Sequence, residues 1–402
     1  RMIPLPLQLR SFRPSSSPLQ SCITHGSELK SCPYSQRRPH PQPVVGGRAP
    51  GSTQERLART CTAHSNDTSH AATGPTTSRP ELAPTVQELT SVRNPLVKWL
   101  TKLRDSPKMR EREAATLLVG REVVCELLED VPSLRVRTFF VKDELAAEDI
   151  EREVEKCTPT GSPARSSRYI MVSSAVMEKL SGVENAQGIT VIAEVSLALE
   201  TIFSGSPDDD RARIDGPIDW EVHKRNLSAW VEMTEGRALI LDRVQDPGNM
   251  GTLLRTAAAF GWRGVLLLEG CCDPFGDKAL RAGRGSALKL AIFSRATWRM
   301  VEELKLSHGF RCVAAVPALP QGTPAERRHD GGIAWAAQQR NLCIIMGSEG
   351  QGVSDEAWRD VKGEGLCDAV AIPMSGQMES LNVAVAGGVL MYLLNPPRNT
   401  MG

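Results

Sequence analysis

Short apolar runs alternate with amphipathic stretches through the second half of the chain, from about residue 237 to 396. Each run is bounded by turn-forming residues, which is typical of a buried strand. On this pattern we predict strands at 238–242, 265–269, 289–293, 310–316, 342–347 and 369–374. Strands that alternate with helices indicate an α/β domain with a mostly parallel sheet, which binds ligands at the carboxyl ends of its strands.

A smaller region of mixed pattern precedes it, from about 87 to 195. One helix is predicted there at 121–130. Strands are predicted at 117–120, 135–141, 169–172 and 189–195. This region is therefore expected to be a small α/β domain of its own.

The small domain opens with the stretch SVRNPLVKWLTKLRDSPKMRERE (91–113), in which seven basic residues outnumber three acidic ones. Apolar side chains recur there at helical spacing, namely Leu96, Trp99, Leu100 and Leu103. Three basic side chains are left for the outer face of the predicted helix, namely Lys98, Lys102 and Arg104. Composition alone favours a solvated helix face over a nucleic-acid surface.

Residues 196–236 are acidic, punctuated by Gly and Pro, and without sustained periodicity, so we predict a linker or an insertion. Trp220 and Trp230 lie within it and could pack on either domain. The segment is longer than an ordinary interdomain linker, which leaves the placement of the two domains open.

Residues 1–80 differ in composition from the rest of the chain, with ten Lys/Arg, three Asp/Glu and many Ser and Pro. An acid-poor, Arg- and Ser-containing segment of this kind is typical of an organelle transit peptide. We expect a chloroplast stromal protein, with the mitochondrial matrix as the alternative. A disordered cytosolic tail is the remaining interpretation.

The ten cysteines form neither a CxxC pair nor a cluster with metal-ligand spacing, so we expect no metal site. Cys271 and Cys272 are adjacent, which is too strained for an ordinary disulfide, and reduced thiols are expected. No apolar run is long enough to predict a membrane span.

Three segments of the larger domain share one form, an apolar strand followed by a polar or glycine-rich loop and then a helix. They are LILDRVQDPGNMGTLLRTAAAFGWRGVLLLE (239–269), CIIMGSEGQGVSDE (343–356) and AIPMSGQMESLNVAVAGGVLMYLLN (371–395). Together they resemble the motifs of the SpoU (TrmH-like) family of RNA ribose 2'-O-methyltransferases, within the SPOUT superfamily. The resemblance implies a C-terminal parallel-sheet SPOUT domain with a deep trefoil knot, preceded by a ribosomal-protein-like substrate-binding domain.

The resemblance also implies S-adenosylmethionine (AdoMet) as the cofactor, without a metal. A sulfonium and an adenine ring need an apolar slot with backbone hydrogen bonds rather than charged side chains. The implied cofactor residues are Met346, Gly347, Ile372, Met374 and Leu381. The loop GSEGQG (347–352) also matches a loose dinucleotide pattern, but it follows a late strand and not the first βα turn, which disfavours an oxidoreductase.

Arg255 is the implied central catalytic residue. Because a free guanidinium keeps its proton at neutral pH, we favour phosphate binding and oxyanion stabilisation over the role of a base, and the sequence leaves both open. The other implied catalytic residues are Asn249, Glu349, Ser380 and Asn382. Taken singly, Asn249 could be a turn residue, and Ser380 and Asn382 could be helix caps.

The RNA-binding residues expected from the resemblance and the basic helix are Lys98, Lys102, Arg104, Arg110 and Arg281. The segment RAGRGSAL (281–288) resembles a family motif, except that Arg284 replaces the usual small residue.

The function expected from these observations is 2'-O-methylation of a ribose in structured RNA by a homodimer without membrane association. Organellar large-subunit rRNA is the favoured substrate, with guanosine as the favoured nucleotide. A tRNA ribose methyltransferase and a non-catalytic RNA-binding or ribosome-assembly factor are the alternatives.

Overall fold

The structure is a computed structural model, and it describes residues 79–80, 88–157, 168–197, 202–203, 220–319, 321, 332–362, 367–376 and 378–395. The predicted tail, 1–80, lies outside the described residues except for its last two. Within the described residues the chain builds two β-sheets, each packed against helices.

The first sheet contains five short strands. They are Glu88–Leu89 (β1), Ala115–Val119 (β2), Val136–Val141 (β3), Arg168–Val172 (β4) and Val191–Ser196 (β5). The helices of this domain are Pro95–Asp105 (α1), Pro107–Glu113 (α2), Arg121–Asp130 (α3), Glu144–Lys156 (α4) and Ser174–Ser181 (α5). The strand order is β1-β4-β3-β5-β2, in which β5 runs antiparallel to both of its neighbours.

Helix α1 has the amphipathic character that the spacing predicts. All four of its predicted apolar side chains are buried, in a cluster that also takes residues from α5 and the sheet. Asn94 caps its first turn, since its side-chain oxygen accepts from the amide of Leu96 at 2.8 Å. Lys98 and Lys102 are exposed on the opposite face. The helices α4 and α5 were not predicted from the pattern.

Arg79 belongs to the first domain rather than to a separate tail. Its guanidinium donates to the carboxylate of Glu194 at 2.9 Å and to the hydroxyl of Thr138 at 3.0 Å, and it lies over the ring of Trp99. The Glu194 side chain on β5 is fully buried. A buried carboxylate without a partner destabilises the folded state, so Arg79 is part of the folded domain. It is the last residue but one of the predicted tail.

The second sheet contains seven strands. They are Ile202–Phe203 (β6), Arg237–Leu241 (β7), Gly264–Leu268 (β8), Ala291–Ala296 (β9), Arg311–Ala315 (β10), Leu342–Met346 (β11) and Cys367–Val370 (β12). The helices of this domain are Trp220–Met233 (α6), Pro247–Phe260 (α7), Asp277–Gly283 (α8), Trp298–Ser307 (α9), Ile333–Ala337 (α10), Asp355–Lys362 (α11) and Val383–Leu393 (α12). All paired strands are parallel, as predicted.

The strand order is β12-β10-β11-β7-β8-β9-β6, with β7 at the centre of the sheet and β6 at one edge. From β7 the chain adds β8 and β9 on one side, and it then crosses to build β10, β11 and β12 on the other. The order therefore reverses between β7 and β11, where the diverging connections leave a crevice at the carboxyl ends of the strands. Strands β7, β8 and β11 are buried along their whole length, which suits a sheet covered on both faces.

The prediction of a linker over 196–236 is wrong for its second half. Helix α6 occupies Trp220–Met233, and Trp230 is fully buried, with its indole N–H donating to the carbonyl of Ala291 at 2.8 Å. Leu227 and Trp230 join the apolar cluster on one face of the second sheet. The acidic, polar character of the segment hides this helix because only a narrow stripe of it is apolar.

The two domains share an interface of apolar and charged contacts. Leu127 of α3 and Leu288 of a 3-10 turn at Ser286–Lys289 lie in one continuous apolar cluster. Around this cluster, Lys289 contacts the carboxylates of both Glu126 and Asp130 at 2.7 Å. The first domain is therefore tied to the second by packing as well as by charge.

Candidate active site

Three loops of the second domain end at the same edge of the sheet. They follow β7 (residues 242–246), β11 (347–354) and β12 (371–382), the strands that precede the three sequence motifs. Since β7 and β11 flank the point where the strand order reverses, the first two loops border the crevice. The structure thus brings the three motifs together, as their common form predicts.

Asn249 connects all three loops through its side-chain amide. Its Nδ2 donates to Glu349 Oε1 at 2.7 Å, and its Oδ1 accepts from Asn382 Nδ2 at 3.1 Å. Both polar atoms of the amide are thus used in contacts between loops, and neither satisfies the backbone of its own turn. Asn249 is therefore a tie between motifs and not an ordinary turn asparagine.

Two of the three loops end in a side chain that caps the following helix. Asp246 Oδ1 accepts from the amide of Asn249 at 2.8 Å at the start of α7. Asn382 Oδ1 accepts from the amides of Ala384 and Val385 at the start of α12. The capping role considered for Ser380 is therefore wrong. Ser380 is exposed, two residues before the cap.

Arg255 projects from α7 into solvent. It lies two turns after the cap of this helix, and it makes no hydrogen bond or ion pair to any residue in the described part of the chain. An exposed guanidinium without an internal partner keeps all five of its donors for a ligand. Its helix also carries Asn249, so the two side chains share one rigid support.

Gly347 is held in a tight loop at the end of β11. A Cβ on this residue would lie 2.1 Å from the carbonyl carbon of Gly352 and 2.3 Å from the amide nitrogen of Val353. The loop closes on itself by two backbone hydrogen bonds between Ser348 and Gly352, at 2.9 and 3.0 Å. A glycine is therefore required by the loop's own backbone, before any ligand enters.

The remaining predicted cofactor residues differ in exposure. Met346 is buried, and its carbonyl accepts from the amide of Asp242 at 2.9 Å. Ile372 and Met374 are half-buried, and Leu381, later in the same loop, is exposed. This edge thus offers apolar side chains and closely folded backbone, which fits a ligand with an adenine ring and a sulfonium.

Cys271 and Cys272 lie against the first of these loops. The Cys271 thiol contacts the carbonyl of Leu241 at 3.2 Å, and burial raises the pKa of Cys271 to about 11 and that of Cys272 to about 12. Both thiols are free and stay protonated at neutral pH, so they are poor nucleophiles. Among the described residues no group of His, Cys, Asp and Glu side chains is placed to hold a metal ion.

A model described as the SpoU rRNA Methylase family matches residues 236–392. We call these residues, which contain strands β7 to β12, the SpoU domain. The match begins just before β7 and ends one residue before the end of α12, so it contains all three loops.

Relatives of known name extend the similarity beyond the SpoU domain. A protein of Synechocystis named as an uncharacterized tRNA/rRNA methyltransferase is 29% identical over 76% of this chain and 93% of its own length. A Bacillus subtilis 23S rRNA (guanosine-2'-O)-methyltransferase is 37% identical over 40% of this chain, which covers 58% of that protein. A zebrafish mitochondrial rRNA methyltransferase is 24% identical over 71% of this chain and 65% of its own length.

A solved structure is similar in fold over most of the chain. An rRNA methyltransferase from Sinorhizobium meliloti, crystallised with AdoMet bound, aligns with a TM-score of 0.56 at 24% identity. The alignment covers 77% of this chain and 97% of that one, so it takes in more than the SpoU domain.

Three of the five arginines and lysines predicted to bind RNA have internal partners instead. Arg110 is 4% exposed, and it donates from Nε to the Asp273 carboxylate of the SpoU domain at 2.7 Å. Arg104 donates to the last carbonyls of α5, and Arg281 pairs with Asp277 at 2.5 Å. Their charges are used within the fold. The partners of Arg104 and Arg110 are distant in the chain and could not be read from the sequence, whereas Asp277 lies only four residues before Arg281 on the same helix.

Arg284, the departure from the family motif, also has an internal role. It ends α8 in a left-handed conformation (φ 48°), and its guanidinium lies 3.3 Å from the Glu126 carboxylate of the first domain. The replacement of a small residue by arginine therefore serves the domain interface. Of the predicted RNA-binding residues, Lys98 and Lys102 remain exposed and without a partner among the described residues.

Sequence reasoning missed the residues that hold the loop at 347–354. Asp242, directly after β7, is 2% exposed, and its Oδ2 accepts from the amide of Ser354 at 2.6 Å. Arg243, with φ 58°, donates to Gln351 at 3.2 Å. The sequence LILDR places an aspartate directly after an apolar strand. This position is a signal for a carboxylate that is buried and hydrogen-bonded.

Proposed function

We propose that this protein transfers a methyl group from AdoMet to the 2'-hydroxyl of a ribose in structured RNA. The observation that carries the proposal is the contact chain from Glu349 through Asn249 to Asn382, which joins the three SpoU motifs. Asn249 lies on α7, the helix that also carries the exposed guanidinium of Arg255. The match of residues 236–392 to the SpoU family supports the proposal.

The loops after β11 and β12 would hold the cofactor. Bound AdoMet supplies an electrophilic methyl group on its sulfonium. Gly347 keeps the loop backbone folded at the end of β11, while Ile372, Met374 and Leu381 offer apolar contacts for the adenine. Met346 lies beneath them in the core and supports the loop.

The acceptor ribose would be held from the α7 side. Arg255 would bind the adjacent phosphate and stabilise the oxyanion that develops as the hydroxyl loses its proton. Asn249 and Glu349 would fix the loops on which this geometry depends, with Ser380 and Asn382 completing the third motif. The alternative role for Arg255 is that of the base that takes the proton from the 2'-hydroxyl.

Large-subunit rRNA is the substrate that we propose, with guanosine as the nucleotide. The name of the Bacillus relative supports both choices, although that protein is matched over only part of its length. In the first domain, the exposed Lys98 and Lys102 would contact RNA phosphates. A tRNA substrate is the alternative, since the Synechocystis relative is named for either RNA.

We also propose a homodimer joined through α12, together with the knotted chain path of the family. Several large apolar side chains are exposed on this helix and the segment before it, namely Met378, Leu381, Val385, Tyr392 and Leu393. Several exposed apolar side chains on one helix and the segment before it are typical of an interface. Val385→Asp should give a monomer in sedimentation, whereas Leu306→Asp, on the still more exposed Leu306 of α9, should not.

The proposed location is an organelle, with the chloroplast stroma preferred. The composition of residues 1–80 supports import, and the zebrafish relative is named as mitochondrial, which supports the mitochondrial matrix as the alternative. None of the described helices is long and apolar enough to cross a membrane.

Methyl transfer from radiolabelled AdoMet to rRNA and tRNA transcripts tests the reaction and its substrate together. Label in large-subunit rRNA at a ribose 2'-oxygen is the expected result, and label in tRNA alone would reverse the choice of substrate. The non-catalytic alternative predicts RNA binding without AdoMet binding. Calorimetry with AdoMet therefore separates the two, and an absence of binding heat by the intact protein would overturn the proposal.

A further inference from the structure

Asp242 holds both ends of the loop at 347–353. At the entry of the loop, its backbone amide donates to the carbonyl of Met346 at 2.9 Å. At the exit, its carboxylate accepts from the backbone amide of Ser354 at 2.6 Å. One residue at the end of β7 thus fixes the distance between the two ends of a loop that follows a different strand.

The environment of the carboxylate shows that this contact is built into the fold. Asp242 is 2% exposed and Ser354 is 5% exposed, so water does not compete for the hydrogen bond. The second carboxylate oxygen lies 3.3 Å from Arg243 Nε, which balances the buried charge. A hydrogen bond from an amide to a buried carboxylate is among the stronger ones in proteins.

Further contacts tie the same loop sideways to the residues around Asp242. Arg243 reaches Gln351 at 3.2 Å, and Asn249 reaches Glu349 at 2.7 Å. The loop is closed internally by the pair between Ser348 and Gly352. The middle of the loop is therefore held by several hydrogen bonds. Among the described residues, the end of the loop at Ser354 is hydrogen-bonded to the β7 loop only through Asp242.

We infer that Asp242 is a positioning residue for AdoMet binding, an inference that rests on the proposed function. Without the carboxylate, the exit of the loop is released and the loop spends less time in the binding conformation. The apparent affinity for AdoMet is the intrinsic affinity multiplied by the fraction of molecules in this conformation, so it falls as that fraction falls. The complex, once formed, has its usual geometry. Asp242 should thus govern the binding of AdoMet and leave the chemical step intact.

The test compares Asp242→Ala with a matched control, using calorimetry with AdoMet, steady-state kinetics and thermal unfolding. Asp242→Ala should raise the Kd and KM for AdoMet by about tenfold to a hundredfold, the range for loss of a hydrogen bond to a charged group. The kcat at saturating AdoMet and the Kd for RNA should stay within about twofold. Thr234→Ala, which removes a buried hydroxyl contact to Val231 before the start of β7, should lower stability but leave the Kd for AdoMet unchanged.

Asp242→Asn provides a second variant if the alanine protein does not fold. Its amide oxygen still accepts from Ser354, but its NH2 group faces Arg243, so the Kd for AdoMet should rise at least about threefold. Wild-type affinity in either folded variant, or a fall in kcat without a change in KM, would overturn the inference and leave the proposed function standing. Failure of the wild-type protein itself to bind AdoMet would overturn both.

Discussion

Arg255 of the SpoU domain and Arg110 of the first domain are both predicted from the sequence to contact the RNA substrate, yet the fold treats them in opposite ways. Arg255 is exposed on α7 and has no partner among the described residues, whereas Arg110 is buried against Asp273 across the domain interface. The first is free for a ligand and the second is part of the architecture. An arginine in a sequence therefore indicates that its charge will have a partner, but not whether that partner is RNA or another part of the protein.

The comparison changes the interpretation of the basic stretch 91–113. Seven basic residues occur there, but Arg104, Arg110 and Arg112 have internal partners. Lys98 and Lys102 stay free on the outer face of α1. The stretch thus has a smaller charge available for RNA than its composition indicates.

The largest effect on stability is expected for Arg110→Ala. Removal of the guanidinium leaves the Asp273 carboxylate and the Leu103 carbonyl without their donor in a mostly buried interface. Breaking a buried ion pair costs about 3–5 kcal/mol, and the partial exposure of Asp273 places this one near the lower end. Urea unfolding measures it.

Lys108→Ala on the same helix is the control, since Lys108 is exposed, and its unfolding free energy should change by less than about 0.5 kcal/mol. Equal effects of the two substitutions would mean that the Arg110 contact contributes nothing to the interface.

Arg255→Ala should lower methyl transfer by about 100- to 1000-fold, the range for loss of one oxyanion-stabilising donor. Unfolding free energy and AdoMet affinity should not change, because the side chain has no internal partner among the described residues. Arg263→Ala, at a surface pair with Glu235 three residues beyond the same helix, should be active. Loss of AdoMet affinity in the Arg255 variant would contradict the assigned role.

Replacing both Lys98 and Lys102 by Gln should weaken RNA binding and reduce its dependence on salt. If each lysine contacts a phosphate, the log-log slope of affinity against salt should fall by about 1.4 to 1.8. The matched control is Arg152→Gln with Lys156→Gln, at the same spacing on α4, which packs on the other face of the sheet. An equal change in slope for both pairs would indicate a general charge effect and no RNA site on α1.

The smallest effect is expected at Glu126. Hydrogen bonding by Lys289, then by Arg284, lowers the pKa of this carboxyl below its ordinary value of 4.5. A carboxyl with a lowered pKa in the folded state stabilises the protein above its ordinary pKa, and this contribution disappears as the pH falls through the folded value. Because the side chain is 39% exposed, the contribution should be at most about 1 kcal/mol.

The measurement is the difference in unfolding free energy between wild type and Glu126→Gln at several pH values. The difference should be present at pH 7 and shrink below about pH 4.5. A difference that grows as the pH falls would have the wrong sign for this interface.

The sequence was sufficient for the elements that have a strong apolar pattern. The buried strands β7, β8 and β11 were predicted to within a residue or two, and helix α3 was predicted with its observed bounds. Helix α6 was missed because its apolar stripe is narrow, and α4 because its sequence is mostly charged. Propensity and periodicity identify an element only when most of one face is apolar.

At the candidate site, the three motifs could be found from the sequence because each joins an apolar strand to a polar loop and a helix. The contacts among Glu349, Asn249 and Asn382 could not be predicted. Asn249 is 100 or more positions away from each of the other two in the chain, and the three meet only because β7, β11 and β12 end at the same edge of the sheet. The exposed position of Arg255 was likewise decided by the fold.

The sequence by itself determined the fold class, the three SpoU motifs and the central strands of the parallel sheet, because local apolar periodicity and turn chemistry encode them. Only the tertiary structure decided which charges are free. A charged side chain is satisfied by whichever opposite charge or backbone donor or acceptor lies within a few ångströms. For Arg110 the partner is the Asp273 carboxylate and for Asp242 it is the Ser354 amide, each more than 100 residues away in the chain. Such distances exist only after the strands have paired.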